Sequence, residues 1–218
     1  FIENYTPTSR VTITYDGDKA TVSGTVSGVM SRVTGAHVIV SSTKKNIAYT
    51  LKGTTTNGSF KLYSDYKTQV TMQGVNITNP TGAAVNIQSG KTIMVELADG
   101  TANTLKDGTT YTMTTGEDQK GTFFSEGQLV FSGKGSLDVQ SVGGHGIHGK
   151  VVGHDHALEA QIDAKNIMHQ RREGCGKIRV HTGDDVMIHH DGCLFTAGSD
   201  TGRKGKQVGG FKGLHRAL

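Results

Sequence analysis

Three groups of residues have the types and spacing to do chemistry. The first is imidazole: His145 and His148 flank Gly-Ile in GHGIHG, and His154 and His156 follow closely. Imidazole suits zinc or copper, but a closed zinc site gathers Cys or His pairs from two directions. If GHGIHG is a strand with Ile147 inward, His148 points outward and His145 sits at the corner or inward end, so the rings do not converge. The second group is carboxylate. Asp184, Asp185 and Asp191 in TGDDVMIHHDG, with Asp163 earlier in IDAKN, are the best candidates for calcium, which takes about six to eight oxygen ligands. A solvated acidic turn is the plainer alternative. The third group suits sugars: Tyr49, Tyr63, Tyr66 and Tyr111 offer rings, and Lys61, Lys67 and Lys91 offer charge for uronate carboxylates. Strand-packing Tyr and scattered surface Lys are the alternatives. With no Trp in the chain, a stacking platform rests on Tyr alone, which favours an acidic soluble glycan over a flat crystalline one.

The elements that must position these groups read as strands. Short bursts such as VTITY (11–15), HVIVSS (37–42), NIAYTL (46–51), SFKLYS (59–64), QVTMQGVNIT (69–78), AAVNIQS (83–89) and TIMVELA (92–98) alternate apolar and polar residues. A strand with one buried face requires that alternation. Ile47, Val70 and Ile93 recur every 23 residues, and Leu129 opens the next comparable burst 36 residues after Ile93. The excess matches a polar, turn-rich insertion, KDGTTYTMTTGED, around Lys106 to Asp118. Ile147 then falls 23 residues after Phe124.

Such a period predicts an all-β, right-handed parallel β-helix, a solenoid whose coils bury their apolar faces on one another. Its inner positions are Val70, Met72, Val75, Ile77, Val85, Ile87, Ile93, Val95, Leu97, Leu129, Phe131, Leu137 and Val139. A two-sheet sandwich explains the strand count but not the period. Residues 1–30 carry a Tyr-Asp-Gly-Asp hairpin signature and read as an N-terminal β cap, and residues 31–150 as the coils. Residues 151–218 read as degenerate C-terminal coils with a basic tail in the same domain. Seven of the ten His and both Cys lie there, with only two of the thirteen Phe and Tyr.

Composition agrees. The 218 residues include 31 Gly and two Pro, with 34% hydrophobic and 19% charged residues, suiting short strands better than long helices. Net charge is +4, but the Lys and Arg are dispersed, which argues against nucleic acid as partner. No apolar run approaches the roughly 20 residues of a membrane span. The chain opens at Phe1 without Met, as a processed or trimmed form of a secreted protein would. Cys175 and Cys193 are too few for a disulfide framework, and as two free thiols or a pair one coil apart they leave stability to packing.

The runs VTITYDG, GTTTNGSFKLYSDYKTQVTMQGVNITNPTGAAVNIQSGKTIMVELADGTANTLKDG, and EDQKGTFFSEGQLVFSGKGSLDVQS followed by HGIH are long and ordered. Together they resemble a family of bacterial secreted, calcium-containing carbohydrate-binding proteins, similar in fold to pectate lyases. The resemblance covers roughly residues 10 to 150. It implies a secreted or cell-surface protein that binds a plant cell-wall type polysaccharide, cellulose or acidic pectin, with Ca2+ bound. In that family paired acidic residues follow HGIH, where this chain reads Gly149-Lys150-Val151-Val152-Gly153.

Two other functions compete with a non-catalytic binder. A uronate lyase needs a cation to acidify the proton beside the carboxylate and an Arg or Lys base to remove it. No basic residue stands beside a convincing acidic cluster in residues 1 to 150, and no Gly-x-Ser-x-Gly, P-loop or HExxH motif is present. A structural surface or filament protein, with self-association through stacked ends, is the third reading.

Overall fold

Alternation sets the local structure. In the strand Ala36–Ser42, and again in Gly58–Ser64, every second residue is buried, so Val38, Val40, Phe60 and Leu62 face the interior. The computed structural model describes residues 5–155, 158–163, 177–181, 187–190 and 193–196, with side chains through 149. Among them the strands are β1 (Ser9–Asp16), β2 (Lys19–Ser23), β3 (Val29–Thr34), β4 (Ala36–Ser42), β5 (Ile47–Thr55) and β6 (Gly58–Ser64). Then come β7 (Thr68–Asn79), β8 (Val85–Gln88), β9 (Ile93–Leu97), β10 (Ala102–Asp107), β11 (Gly121–Gly133), β12 (Ser136–Gln140) and β13 (His145–Asp155). Four short strands follow: β14 (Leu158–Asp163), β15 (Lys177–His181), β16 (Met187–His190) and β17 (Cys193–Thr196). No helix occurs among the described residues.

Most pairings are parallel and skip an element. β4 lies beside β6 and β6 beside β8, while β1 lies beside β5, β5 beside β7 and β7 beside β9. Parallel strands need such long connections. Apolar residues therefore fall into rows across the sheet. One row is Val38, Phe60, Val85, Phe123, Ile147; another is Val11, Tyr49, Val70, Val95, Phe131. All are 2% exposed or less, as are the thirteen positions expected to face inward.

The right-handed parallel β-helix is not what these strands build. The long strands bridge the ladders that a solenoid would keep as separate sheets: β7 pairs with β9 through Thr68–Met72 and with β10 through Asn76–Asn79. In the same way β11 pairs with β8 through Phe123–Ser125 and with β9 through Leu129–Gly133. All seventeen strands thus join one nearly closed, barrel-like sheet, mostly parallel. Its margins are antiparallel: β1 with β2 and β3 with β4 toward one end, β13 with β14 and β12 with β15 through β17 toward the other. Tyr15-Asp16-Gly17-Asp18 makes the β1–β2 hairpin, pairing Asp16 with Lys19.

The bends have residue-level causes. Register slips where Leu51 faces Met72 but Gly53 faces Val75, so β7 carries an extra residue. Gly53 has φ +88, and a Cβ there would lie 2.1 Å from the Tyr15 carbonyl oxygen, so only Gly fits. Asn103, 1% exposed, accepts from the Val75 N–H (2.9 Å) and donates to the Ser136 carbonyl (3.0 Å). One buried amide thereby satisfies backbone groups on two elements.

Candidate functional site

One corner of the sheet is built three times from the same local rule. After an alternating strand the chain turns at Ser42-Thr43-Lys44, at Ser64-Asp65-Tyr66 and at Ser89-Gly90-Lys91. In each turn the serine Oγ accepts the backbone N–H two residues on: Lys44 at 3.3 Å, Tyr66 at 3.4 Å, Lys91 at 3.3 Å. Short hydroxyl side chains favour such turns because they supply the partner that the ladder no longer offers. The turns also stack. Ser42 lies opposite Ser64, the Asp65 N–H donates to the Ser42 carbonyl (3.1 Å), and Ser89 Oγ donates to the Ser64 carbonyl (2.6 Å).

Stacking at the strand spacing of about 4.8 Å aligns whatever follows each serine. Lys44, Lys45, Tyr66, Lys67 and Lys91 therefore share one edge of the molecule. Tyr66 is 38% exposed, and Lys45 Nζ lies 4.8 Å from its ring centroid. The Tyr5 hydroxyl sits 2.9 Å from the Ile47 carbonyl and 3.1 Å from that of Lys67, tying the turn down, and burial raises the Tyr5 hydroxyl above its ordinary pKa. At Glu126-Gly127 the next strand packs close, since a Cβ on Gly127 would lie 2.2 Å from the Lys91 carbonyl oxygen. Asp65 and Glu126 are the acids of this edge, against four lysines. An exposed ring among ammonium groups can stack on a sugar face while the charges meet a carboxylate.

Residues 108–120, between β10 and β11, form a strap across the outward side chains of β6 and β8. Lys61 Nζ bonds Glu117 Oε2 at 2.7 Å, and the Tyr63 hydroxyl donates to the other oxygen of the same carboxylate. Gln88 Nε2 donates to the Asp118 carbonyl (2.6 Å), and Gln119 Nε2 to that of Thr112 (2.7 Å). Burial and then the Glu117 carboxylate push the Tyr63 hydroxyl up to about 12. For Glu117, burial alone would raise the pKa, but the hydrogen bonds from Lys61 and Tyr63 outweigh it and hold the carboxyl below its ordinary value.

The strap begins on a second latch. Asp107, 2% exposed, accepts the Tyr111 hydroxyl at 2.5 Å and the Val142 N–H at 2.6 Å, and the Ser141 hydroxyl, 3.1 Å away, donates to the Gly144 carbonyl at 2.7 Å. Burial, then this carboxylate, raise the Tyr111 pKa far above the usual phenol value.

The sugar-binding residues expected from sequence thus separate into three sets. Tyr66, Lys67 and Lys91 come together on the serine corner. Lys61, Tyr63 and Tyr111 are engaged by the strap and its latch. Tyr49 is not outward at all: it is 0% exposed, with its ring 6.0 Å from that of Phe60, because alternation in β5 puts it on the same inward side as Ile47 and Leu51. The two imidazoles expected to diverge instead stack, His145 on His148 at 5.4 Å and His148 on Phe124 at 5.3 Å. Among the described residues no cluster of three or more His, Cys, Asp or Glu is placed to hold a metal. Asp184, Asp185 and Asp191 lie outside the described residues, and Asp163 ends β14 with its side chain undescribed. Lys44 and Lys45 were missed, although the repeated Ser-x-Lys or Ser-x-Tyr spacing at 42, 64 and 89 marks Lys44, and Lys45 follows it. Glu117 was missed because it sits in a segment without strand periodicity.

An aromatic ring on a lysine-lined edge of a sheet is a surface suited to a saccharide. Residues 34–166 match the family described as "Carbohydrate-binding domain-containing protein", and the chain belongs to that family. A carbohydrate-binding domain-containing protein of Acetivibrio thermocellus is 30% identical over 103 residues, which are 45% of this chain and 36% of that protein. The chain thus spans about a third of that relative's length. Among solved structures, a gadolinium derivative of the polysaccharide lyase-like protein from C. thermocellum superposes with a TM-score of 0.56 at 27% identity. The likeness covers 65% of this chain and 56% of that one.

Proposed function

We propose that this protein is an exported, cell-surface or extracellular module that binds an acidic, uronate-bearing polysaccharide along the serine corner without catalysis. Tyr66, exposed and flanked by Lys45, Lys67 and Lys91 on one edge, is the observation that carries this reading. The ring stacks on a sugar face and the ammonium groups meet successive carboxylates, and membership of a carbohydrate-binding family supports a glycan as the ligand.

Isothermal titration with polygalacturonate and with a neutral β-glucan tests it. The acidic polymer is expected to bind, with affinity falling as salt rises because exposed charges are screened. Tyr66→Ala is expected to weaken it by roughly tenfold, about 1.4 kcal/mol. Equal binding of the neutral glucan, or indifference to Tyr66→Ala and to Lys67→Ala with Lys91→Ala, defeats the assignment. Appearance of the ultraviolet absorbance of an unsaturated uronate product would establish a lyase instead.

Calcium enters this reading through Asp163, Asp184, Asp185 and Asp191, whose hard oxygens suit it. No step of glycan binding at the corner is routed through the ion. Removing it with EDTA is expected to lower the melting temperature, with recovery on adding calcium but not magnesium; an unchanged melt counts against bound calcium.

A further inference from the structure

On the outward face of β6 and β8, two donors converge on a single carboxylate. Lys61 Nζ and the Tyr63 hydroxyl take one oxygen each of Glu117. A third donor stands beside them: Asn86 is paired in register with Lys61, is 2% exposed, and its Nδ2 has no hydrogen-bond partner among the described residues. The orientation of that amide follows from its neighbour. Gln88 Nε2 donates both to the Asp118 carbonyl, which can only accept, and to Asn86 Oδ1 (2.7 Å), so Asn86 Nδ2 faces away from Gln88. Phe124 follows Asn86 in the same row and adds an aromatic ring. A buried donor left unpaired is destabilising, and its presence beside two engaged donors marks a receptor larger than the group that now fills it.

The strap that delivers Glu117 is held mainly by polar contacts. Thr109, Thr110 and residues 112–116 are exposed, Met113 at 53%, so lifting that stretch uncovers little apolar surface of its own. Building on the reading of an acidic glycan ligand, we propose that Lys61, Tyr63 and Asn86 form a uronate subsite, and that Glu117 occupies its carboxylate position until a ligand displaces it. The sugar's carboxylate takes Lys61 and Tyr63, a ring hydroxyl or the second carboxylate oxygen takes Asn86 Nδ2, and Glu117 moves to solvent. As a tethered competitor at millimolar or higher effective concentration, Glu117 lowers the apparent affinity of the wild-type chain.

The experiment uses monomers, which cannot span the corner lysines. Galacturonate, galactose and acetate are titrated into the wild type and Glu117→Ala, with chemical-shift changes and melting temperature as readouts. Glu117→Ala is expected to bind galacturonate at least roughly tenfold more tightly than wild type, more tightly than acetate, and to ignore galactose. Lys61→Met added to Glu117→Ala is expected to abolish the gain. If Glu117→Ala does not fold, Glu117→Gln, which keeps the shape and loses the charge, is expected to show the same gain in smaller measure. No gain in the folded variant overturns the subsite, and galactose binding as well as galacturonate overturns its carboxylate specificity. Adding Tyr66→Ala separates the two sites: a gain that persists belongs to the strap subsite whatever the polymer does, and a gain that disappears assigns the effect to the corner.

Discussion

Glu117 is one carboxylate with two hydrogen-bonded donors, and its effect on stability has a definite sign in pH. Its folded pKa lies below the ordinary 4.5 because Lys61 and Tyr63 outweigh burial. The stability it contributes is therefore complete above that ordinary value and is lost as pH falls through the depressed one. The gap in melting temperature between wild type and Glu117→Gln is expected to stay constant above the ordinary carboxylate value and to close below it. A gap unchanged into strong acid would mean that Glu117 is not the ionised partner. Tyr63 runs the other way: its pKa is raised to about 12, so its contribution is full below the ordinary 10.0 and disappears as pH rises through the folded value. Sequence alternation already placed Lys61 and Tyr63 on the outward side of β6. It could not reveal what covers them, because a segment without periodicity, such as 108–120, announces a loop and not its destination.

At the scale of elements, Asp107 joins three of them: it ends β10, receives Tyr111 of the strap and holds the backbone before β13. Asp107→Ala leaves the Val142 N–H and the Tyr111 hydroxyl without their acceptor at a position that is 2% exposed. The loss is expected to be about 2–4 kcal/mol by urea denaturation, against under about 0.5 kcal/mol for an exposed residue such as Lys120→Ala. Equal small losses would show that the latch is solvated. The repeat itself was legible in part. Leu129 does lie opposite Ile93, as the spacing of 36 suggested, but Ile47, Val70 and Ile93 do not share a row. Val70 faces Tyr49, and Ile93 faces Thr68, so the even spacing averages a shorter and a longer connection. Ile147 likewise faces Phe123, not Phe124; a slip of one residue exchanges the two faces of a strand, which is why His148 lands on Phe124.

Over the whole molecule, the all-β class, the inward residues and the mostly parallel strands were readable, because alternation and β-branched content report burial directly. The solenoid was not borne out, because a period shows how far apart partners are and not where one sheet ends. That depended on β7 and β11, whose lengths of 12 and 13 residues let each serve two sets of neighbours. The net charge of +4 gave no hint of the lysine edge either, since it is dispersed in sequence and collected only by the stacking of the three serine turns.

Parallel pairing has one more consequence, in time. Val38 must find Phe60, and Phe60 must find Val85, before either row gains anything, so each ladder requires a long loop to close first. Hairpins of the β1–β2 and β3–β4 kind form locally and early, while the interior rows arrive late. After a jump out of denaturant, recovery of the native signal is expected on the scale of seconds, not milliseconds, and a single millisecond phase would contradict that order of events. In that interval the exposed edges of half-assembled strands are open to other chains, so the yield of refolded protein is expected to fall as its concentration rises.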